Sequence, residues 1–517
     1  MKKFVWVLFL CTALLCALLT GCGGNPVPGV EDSEPEDTAV PAHPDELYIG
    51  IAQDLDSLDP HKMVAAGTKE VMFNVFEGLV KPAPSGDILP GLAESWTISD
   101  DRTVYTFHLR PNVKFHDGTI VTSEDVLYSL MRLSGYDDGN AADVVTVDAF
   151  SNLAAIDTPD EMTIVLRLKE PSNEFLSYLT AAVIPAGYDQ QDTMPIGTGP
   201  FRFVSRTAQE SVIFERFEDY WGEPAALKSV TCRIVENADS ILMSLQSGAV
   251  DLFPHLTITQ AQQLGAQFRV EQGAMNLVQA LYLNNAVEPF NDVRVRQALC
   301  YAVDKHAVLN MAFDGFGFPI GSSMYPAFSK YFDDSLTDYY PHDVEKAKEL
   351  LAAAGYADGF SMTITVPSNY QPHLDTAQVL SEQLKEVGIK AEILPVEWET
   401  WLNEAYLGRN FESTVIGVDA ANMTARALLE RFVSTADNNF INYNNAAYDS
   451  LFEQAQAAVS EDEQTALYRD MERNLTENAA NVYIQDMADL LAVRNGLEGV
   501  QFYPIYVLDF HGLHWEA

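Results

Sequence analysis

Acidic side chains are by far the most numerous groups in this sequence that could bind a metal ion or act in catalysis. Two short clusters stand out among them: Asp54, Asp56 and Asp59, and then Asp137, Asp138 and Asp143. Neither cluster has the spacing of a calcium-binding loop, which requires a central glycine and a distal glutamate. We interpret these acids as residues of turns and helix caps.

The short motifs of several enzyme classes are missing from the sequence. It contains no His-Glu-x-x-His of zinc proteases, no Gly-x4-Gly-Lys phosphate loop and no Gly-x-Ser-x-Gly elbow. The ten histidines are scattered without paired ligand spacing, so we expect no metal and no other cofactor. We therefore expect a protein that is not an enzyme; an exported hydrolase with catalytic groups far apart in sequence is the alternative from another class.

Composition and charge narrow the possible functions further. The chain has 517 residues, 47% of them apolar and 11% aromatic, which excludes a disordered protein and predicts roughly two to four domains. It carries 31 Lys and Arg against 74 Asp and Glu, a formal charge of -43. Such a surface repels phosphate backbones, so we expect no nucleic-acid partner.

The first residues have the pattern of an export signal. Met1-Lys2-Lys3 precedes an apolar run from Phe4 to Leu19, and Thr20-Gly21-Cys22 follows. A cationic start, a short apolar run and small residues at its end are typical of a secretory signal. The alternative is a membrane anchor, but about 16 residues fall short of the roughly 20 that span a bilayer.

Leu19-Thr20-Gly21-Cys22 resembles the bacterial lipobox. The resemblance implies that residues 1–21 are a lipoprotein signal peptide and that Cys22 receives lipid, which holds the protein on the outer face of the cell membrane. Residues 22–46 follow as a tether with five prolines, seven acids and no Lys or Arg. Such a stretch cannot bury enough apolar surface to fold.

Beyond the signal and the tether, the body of the chain contains two cysteines, Cys232 and Cys300. Cys232 lies in a strand-like run, and Cys300 lies in a helical pattern. Their apolar surroundings favour two buried, unbonded residues over a disulfide, although the sequence leaves the disulfide open.

The body alternates strand and helix patterns, which indicates an α/β fold. Period-two alternation predicts strands at 104–110 and 162–168, a cap-like Thr122-Ser123 predicts a helix start, and a last amphipathic helix is predicted at 462–478. The segment 341–396 reads as helix, strand, helix, strand, with Gly355 and Gly388 ending the helices. Its second half has the spacing of a β-α-β unit.

Several phrases in the body occur in a recognisable order. They are Leu58-Asp59-Pro60-His61, Asn74-Val75-Phe76-Glu77-Gly78-Leu79, Leu92-Ala93-Glu94-Ser95-Trp96, Val113-Lys114-Phe115-His116-Asp117-Gly118, Gly197-Thr198-Gly199-Pro200-Phe201, Asp219-Tyr220-Trp221 and Phe290-Asn291-Asp292-Val293-Arg294-Val295-Arg296-Gln297-Ala298-Leu299. This pattern resembles the solute-binding proteins of dipeptide, oligopeptide and nickel ABC transporters (extracellular solute-binding protein family 5) over 47–517. We interpret the recurrent residues as architectural, with Asn291 or Asp292 capping a helix and Arg294 and Arg296 at or near the surface.

The resemblance implies a class II periplasmic-binding-protein fold, with two lobes, a hinge and a small inserted third domain. By similarity, lobe I is discontinuous and comprises 47–76, 200–280 and 485–517. The inserted domain comprises 77–199, and lobe II comprises 281–484. Two chain segments then cross between the lobes, so that a solute bound to both would stabilise a closed state.

The resemblance also points to site residues, but the match is incomplete. Peptide-binding members pair the peptide amine with a carboxylate four residues after a glycine, and after Gly417 that position is Ala421. Asp419, two residues earlier, could partly substitute if the strand register holds; a solvated turn acid is the alternative. Asn422 lies in the same stretch. If Arg426 or Arg431 faced the cleft instead, an anionic solute would be favoured.

Two further matches complete the candidate ligand-binding set, which contains no catalytic or metal-binding residue. Trp398 matches a family tryptophan that packs against the solute, and Met63 and Ala66 match a lobe I loop that lines the cleft. The function that follows is a monomeric lipoprotein of an ABC importer that captures peptides and passes them to the permease subunits. The alternative is the same receptor for a non-peptide solute, such as a nickel or other metal chelate or another small organic molecule.

Overall fold

The structure is a computed structural model that describes residues 44–134, 148–420, 424–458 and 460–516. The expected signal, Cys22, most of the tether, the acids at 137–143 and the candidate ligand residue Asn422 lie outside these ranges. Among the residues described, no helix has the length and apolar character needed to cross a membrane.

Strands form the centre of the molecule. In chain order they are β1 (Glu46–Ile51), β2 (Val80–Pro82), β3 (Ile88–Pro90), β4 (Ala93–Ile98), β5 (Val104–Leu109), β6 (Leu153–Asp160), β7 (Thr163–Leu168), β8 (Phe201–Thr207), β9 (Ser211–Arg216), β10 (Ser229–Ile234), β11 (Leu252–Phe253), β12 (Phe268–Leu283), β13 (Phe318–Pro319), β14 (Ser361–Pro367), β15 (Lys390–Val396), β16 (Ser413–Val418), β17 (Asn481–Arg494), β18 (Leu497–Glu498) and β19 (His514–Trp515).

Helices pack on these strands. They are α1 (Ala66–Met72), α2 (Ser123–Ser134), α3 (Phe175–Tyr178), α4 (Ala238–Gln246), α5 (Ile258–Gln262), α6 (Val293–Ala302), α7 (Lys305–Ala312), α8 (Val344–Ala353), α9 (Gln371–Lys385), α10 (Trp398–Thr400), α11 (Arg426–Leu429), α12 (Ala446–Ala457) and α13 (Glu461–Glu477). A π-helical segment at Trp401–Leu407 and 3₁₀ turns at Asp148–Asn152, Asp334–Leu336 and Glu430–Phe432 complete the described helices.

One large sheet runs through most of the molecule in the order β15-β14-β16-β12-β17-β11-β1-β10-β9-β8, with β13 also pairing with β17. Its longest members, β12 and β17, are antiparallel neighbours of 16 and 14 residues. At 3.3 Å per residue a 16-residue strand extends about 50 Å, long enough to belong to two separate cores. A second sheet, β4-β5-β7-β6, stands apart from it.

The predicted elements are confirmed where the sequence pattern was strong. In β5 the side chains of Tyr105, Phe107 and Leu109 are buried, as alternation requires. Strands β14 and β15 are parallel neighbours joined by α9, which is the predicted β-α-β unit. The last helix, α13, lies within one residue of its predicted bounds. The α/β prediction is therefore correct.

The buried apolar side chains form separate cores on these sheets. The core that we call the insert core lies between Leu79 and Val183 and rests on the second sheet. The core that we call the C-terminal core extends from Val278 to Tyr483 and includes the faces of α11, α12 and α13. Another core surrounds β1 and β10 and contains Cys232. Cys300 belongs to a fourth, and both thiols are free and buried, as predicted.

The ladder between β12 and β17 shifts register twice, at a bulge between Ala274 and Val278 and again between Gln279 and Ala280. At the bulge, Asn276 adopts the left-handed region with φ +60°. The amide of Leu277 has lost its strand partner and donates instead to the Asp486 Oδ1 at 2.9 Å. Burial raises the pKa of Asp486 to about 8, although the amide hydrogen bonds oppose this effect.

The expectation that both arginines of α6 lie at or near the surface is wrong for Arg296. Asp292 caps α6 through the amide of Arg294, whose side chain is exposed. Arg296, by contrast, is only 7% exposed and donates to the carbonyls of Phe290, Asn478 and Ala479 at 2.7–3.0 Å. These carbonyls lie in a loop and just after α13, where no strand or helix partner satisfies them, so a five-donor guanidinium is suited to the position.

Replacement of Arg296 by Met should destabilise the fold by about 3 kcal/mol or more, because three carbonyls would lose their buried donors. Arg294→Met, two residues away on the same helix, is the matched control and should have a much smaller effect. Urea unfolding followed by circular dichroism would measure both, and equal losses would contradict the assigned role.

Candidate functional site

A cavity of about 530 Å³ opens beside the bulge of β12. Its size is that of a site for a small molecule or a short peptide. The lining comprises Val64, Ala66, Lys69, Glu70, Ser177, Tyr178, Thr180, Ala181, His255, Ala274, Met275, Asn276, Tyr325, Asp419, Ala420, Asp489 and 502–507. These residues come from segments far apart in sequence, and the interrupted ladder forms part of the wall.

One wall of the cavity carries an ionic triad. His255 lies between two carboxylates: its Nδ1 is 2.8 Å from Asp489, and its Nε2 is 3.1 Å from both oxygens of Glu70. Burial lowers the pKa of His255, but the hydrogen bonds and charges of Asp489 and Glu70 outweigh this and raise it to about 10. The imidazole is thus a cation at neutral pH, and the triad carries one net negative charge.

Tyr506 lies next to the triad, with its ring centroid 5.8 Å from that of His255. Burial, with the nearby charges of Asp489, Asp419 and Glu70, raises the pKa of Tyr506 to about 12. The phenol therefore remains protonated. Because Asp419 is among the charges that act on Tyr506, it lies near the wall that carries the triad.

Asp419 follows the end of β16 and reaches the cavity with an exposed side chain. Its carboxylate has no ion-pair partner within the described part of the chain, whereas its backbone carbonyl accepts from Arg431 at 3.3 Å. An exposed carboxylate beside a cavity can accept hydrogen bonds from a positively charged group.

Comparison with known proteins identifies the family. Residues 87–440 match the family described as "Bacterial extracellular solute-binding proteins, family 5 Middle". The chain belongs to this family. The match covers more than half of the sequence.

Individual relatives within the family differ in what they are named for binding. Heme-binding protein A of Haemophilus influenzae is 30% identical over 74% of this chain and 76% of its own length. Di/tripeptide-binding protein 1 of Pseudomonas aeruginosa is 29% identical over 75% of this chain and 79% of its own length. The periplasmic binding protein DppA of Helicobacter pylori was solved with the peptide STSA. It is 25% identical, the match covers 91% of this chain and 98% of that one, and the TM-score is 0.68. The expected periplasmic-binding-protein fold is thereby confirmed.

The structure brings some of the predicted site residues to the cavity and places others elsewhere. Ala66 and Asp419 line it. Met63 is buried in the core around β1, beneath the segment that contributes Ala66. Gly417 lies within β16, where its amide donates to His373 Nε2 at 3.3 Å.

Trp398 lies outside the lining of this cavity. It is 39% exposed at the start of α10, stacked on Trp401 and in edge contact with Tyr370. The three rings form an aromatic surface next to the carboxyl ends of β14 and β15.

The two arginines that could have favoured an anionic solute are engaged elsewhere. Arg426 forms ion pairs with Glu174 and Glu430. Arg431 donates to the backbone carbonyls of Ala427 and Asp419. Neither side chain lines the cavity.

The acids of the first cluster lie in the loop between β1 and α1, in agreement with the turn interpretation, but none of them caps α1, and Asp59 is buried. Asp54 binds Arg206, and Asp56 accepts from the amides of Val64 and Ala65. Asp59 pairs with Arg132 in the interior. The second cluster lies outside the described residues. Within those that are described, no group of three or more His, Cys, Asp or Glu is arranged to hold a metal ion.

Three of the recurrent phrases meet at one buried carboxylate. Glu77 accepts hydrogen bonds from the Tyr220 hydroxyl at 2.8 Å, the Trp221 Nε1 at 2.7 Å and the Thr198 hydroxyl at 3.1 Å. Gly197 is needed beside them, because a Cβ there would lie 2.0 Å from the carbonyl oxygen of Val75. Three phrases are therefore explained as one architectural contact, which confirms their structural interpretation.

Sequence reasoning missed His255, Glu70, Asp489 and Tyr506. The triad residues are isolated in sequence, and only the fold brings them together. One signal was present for Tyr506: the stretch Phe502-Tyr503-Pro504-Ile505-Tyr506 is rich in aromatics yet has neither strand nor helix periodicity. Such a stretch favours an aromatic loop at a binding surface.

The His255 triad predicts a specific pH dependence of stability. A pKa raised from 6.5 to about 10 on folding stabilises the protein fully below about pH 6.5, and this contribution is lost as pH rises towards 10. The free energy of unfolding of the wild type should therefore approach that of His255→Gln between pH 7 and pH 10.

Chemical denaturation at a series of pH values would measure this difference, with the exposed His342→Gln as the matched control. If the free energies of unfolding of the wild type and of His255→Gln differed by the same amount at every pH, His255 would not be held as a cation. The control should track the wild type throughout.

Proposed function

We propose that this protein is the receptor of an ABC importer and captures short peptides. Two lobes close around the peptide, and the closed receptor delivers it to the permease subunits. Membership of the solute-binding family supports the receptor role. The relatives named for di- and tripeptides, and the neighbour solved with a peptide, support a peptide as the solute.

The observation that carries the peptide assignment is the free carboxylate of Asp419 at an acidic cavity. An ammonium buried without a carboxylate partner is costly, so a site for a peptide amine needs an acid that is not already paired. Asp419 fulfils this condition among the described residues, and it reaches the cavity although it lies two residues before the family position. Glu70 and Asp489 add negative charge to the same cavity, where His255 offsets only part of it.

The rest of the cavity suits a solute of variable side chains. Tyr178, Phe502 and Tyr506 offer flat surfaces that accept many partners. Lys69 lines the cavity from α1 and supplies a cation suited to the peptide carboxylate. A zwitterion would thus meet both signs of charge.

The proposed lobes follow the boundaries implied by the family. Lobe I comprises 47–76, 200–280 and 485–517, the inserted domain comprises 77–199, and lobe II comprises 281–484. The two crossings fall within β12 and β17, and the bulge near Asn276 lies a few residues from the first of them. An interrupted ladder bends more easily than a regular one, which supports a hinge at this place.

The proposal includes how the receptor is held and what it does to the peptide. The lipid on Cys22 anchors a monomer to the outer face of the cell membrane, and the tether of residues 22–46 keeps it near the permease at high effective concentration. Gly417, Asn422 and Trp398 contribute further contacts as the lobes close, with Ala66 on the other side and Met63 behind it. The peptide leaves unchanged, because the receptor breaks no bond in it.

Trialanine should bind in isothermal titration, and N-acetyl-trialanine should bind much more weakly, because acetylation removes the ammonium that Asp419 pairs with. Asp419→Asn should weaken the binding of trialanine roughly 30-fold, equivalent to about 2 kcal/mol. It should leave the weak binding of the acetylated peptide unchanged.

Glu453→Gln provides the matched control, because it removes one exposed acid from α12 at a distance from the cavity lining. Equal affinity for free and acetylated peptides would contradict amine recognition. Binding of hemin in place of any peptide would contradict the peptide assignment, and mass spectrometry of the recovered peptide would reveal any cleavage.

The anchoring proposal has its own test. In bacterial cells that express the full chain, labelled palmitate should be incorporated into the wild type and not into Cys22→Ala. Cys16→Ala should be labelled like the wild type. Labelling of Cys22→Ala would refute Cys22 as the lipid attachment site.

A further inference from the structure

A carboxylate of the inserted segment reaches into the C-terminal core region. Glu174 accepts a hydrogen bond from the Tyr468 hydroxyl through its Oε1, and its Oε2 is 3.5 Å from the Arg426 Nη1. Gln464 approaches the Oε1 at 3.5 Å. All three partners belong to α11 or α13, some 250 to 290 residues further along the chain. We call this set of contacts the Glu174 contact.

The two sides of the Glu174 contact belong to separate hydrophobic cores. Phe175, next to Glu174, is buried in the insert core, and Tyr468 is buried in the C-terminal core. Each side is therefore held in place by its own packing. What joins the two sides here is polar.

Other contacts along the same boundary are polar as well. Asn173 Nδ2 donates to the carbonyl of Ala458 at 3.0 Å, and Ser329 Oγ donates to the carbonyl of Ser85 at 3.1 Å. Polar boundaries between packed units are the ones that separate and rejoin, because opening them exposes little apolar surface.

The Glu174 contact is electrostatically strong for a contact at such a boundary. The Glu174 side chain is only 14% exposed. Partial burial lowers the pKa of Arg426, but the charges of Glu174 and Glu430 outweigh this and raise it. Burial and the Glu174 charge raise the pKa of Tyr468, so its hydroxyl remains a donor.

The Glu174 contact lies at the start of a wall of the cavity. Glu174 immediately precedes α3, and Ser177 and Tyr178 of α3 line the cavity. Asp419 and Ala420, a few residues before α11, which carries Arg426, also line the cavity. One carboxylate thus joins α3 to α11 and α13, and residues of α3 and residues shortly before α11 line the same cavity, although Glu174 itself is not part of the lining.

We propose that Glu174 is a positioning residue that keeps the cavity closed by holding α3 against α11 and α13. It contacts no solute and acts through Arg426 and Tyr468. This inference rests on the proposed closure of the lobes but not on the identity of the solute. It predicts that loss of one carboxylate frees both walls of the cavity at once.

Hydrogen exchange of the full chain without added solute tests the inference. In Glu174→Gln, peptides covering 174–181 and peptides covering 461–468 should exchange about 3- to 10-fold faster than in the wild type. The Glu174 side chain makes no capping bond to α3, so the substitution leaves the helix's own hydrogen bonds intact. Faster exchange in α13, which is far from Glu174 in sequence but in contact with it, would then report the lost contact.

Salt separates an ionic role from a simple packing role. In the wild type, raising NaCl from low concentration to about 1 M should speed exchange in both segments, because salt screens the ion pair. In Glu174→Gln, salt should have little further effect. Arg426→Gln should reproduce the variant, and the double variant should be no faster than either single one.

Glu170→Gln is the matched control, since Glu170 is an exposed acid four residues before Glu174 in the sequence. Unchanged exchange in Glu174→Gln, or an equal change in Glu170→Gln, would overturn the inference. Because no solute is added, a negative result would leave the peptide proposal unaffected, and failure of trialanine to bind would leave this one unaffected.

Discussion

The pairing of β12 with β17 is the constraint on which the rest of the structure depends. These two strands connect separate cores, so every backbone amide along them needs a partner, including the amides at the bulge. Asp486 provides one of these partners and is fully buried in doing so. A charged carboxylate at this depth costs free energy, which is why burial raises the pKa of Asp486. The bulge it supports leaves room on one side of the sheet, and the cavity occupies that room.

Other buried acids of this very acidic protein also have hydrogen-bond donors or cations as partners. Glu77 satisfies three donors from three distant segments, and burial raises its pKa. Glu70 is paired with His255, and Asp59 with Arg132. The large net charge is thus a property of the surface, whereas each interior carboxylate described above has donors or a cation assigned to it. Asp419 differs from these interior acids, because it is exposed beside the cavity and has no ion-pair partner among the described residues.

Much of the fold could be predicted from the sequence because its signals are local. Alternation in β5, the caps of α6 and α8, and the glycines that end α8 and α9 each depend on a few neighbouring residues. The position of Arg296 could not be predicted in this way. Its helix has an apolar face that includes one arginine, and only the carbonyls of Asn478 and Ala479, contributed from far along the chain, make its burial favourable.

The candidate site shows the same limit more sharply. Glu70, His255 and Asp489 are separated by 185 and 234 residues, and no local pattern links them. The sequence argument for Asp419 assumed that residues two apart in a strand share a face. Strand β16 ends at Val418, however, so this rule does not extend to Asp419. The Asp419 carboxylate lies beyond the end of the strand, where Arg431 donates a hydrogen bond to the backbone carbonyl of Asp419. Strand register therefore indicates a candidate segment, and the residue of that segment that reaches the cavity lies just beyond the end of the strand.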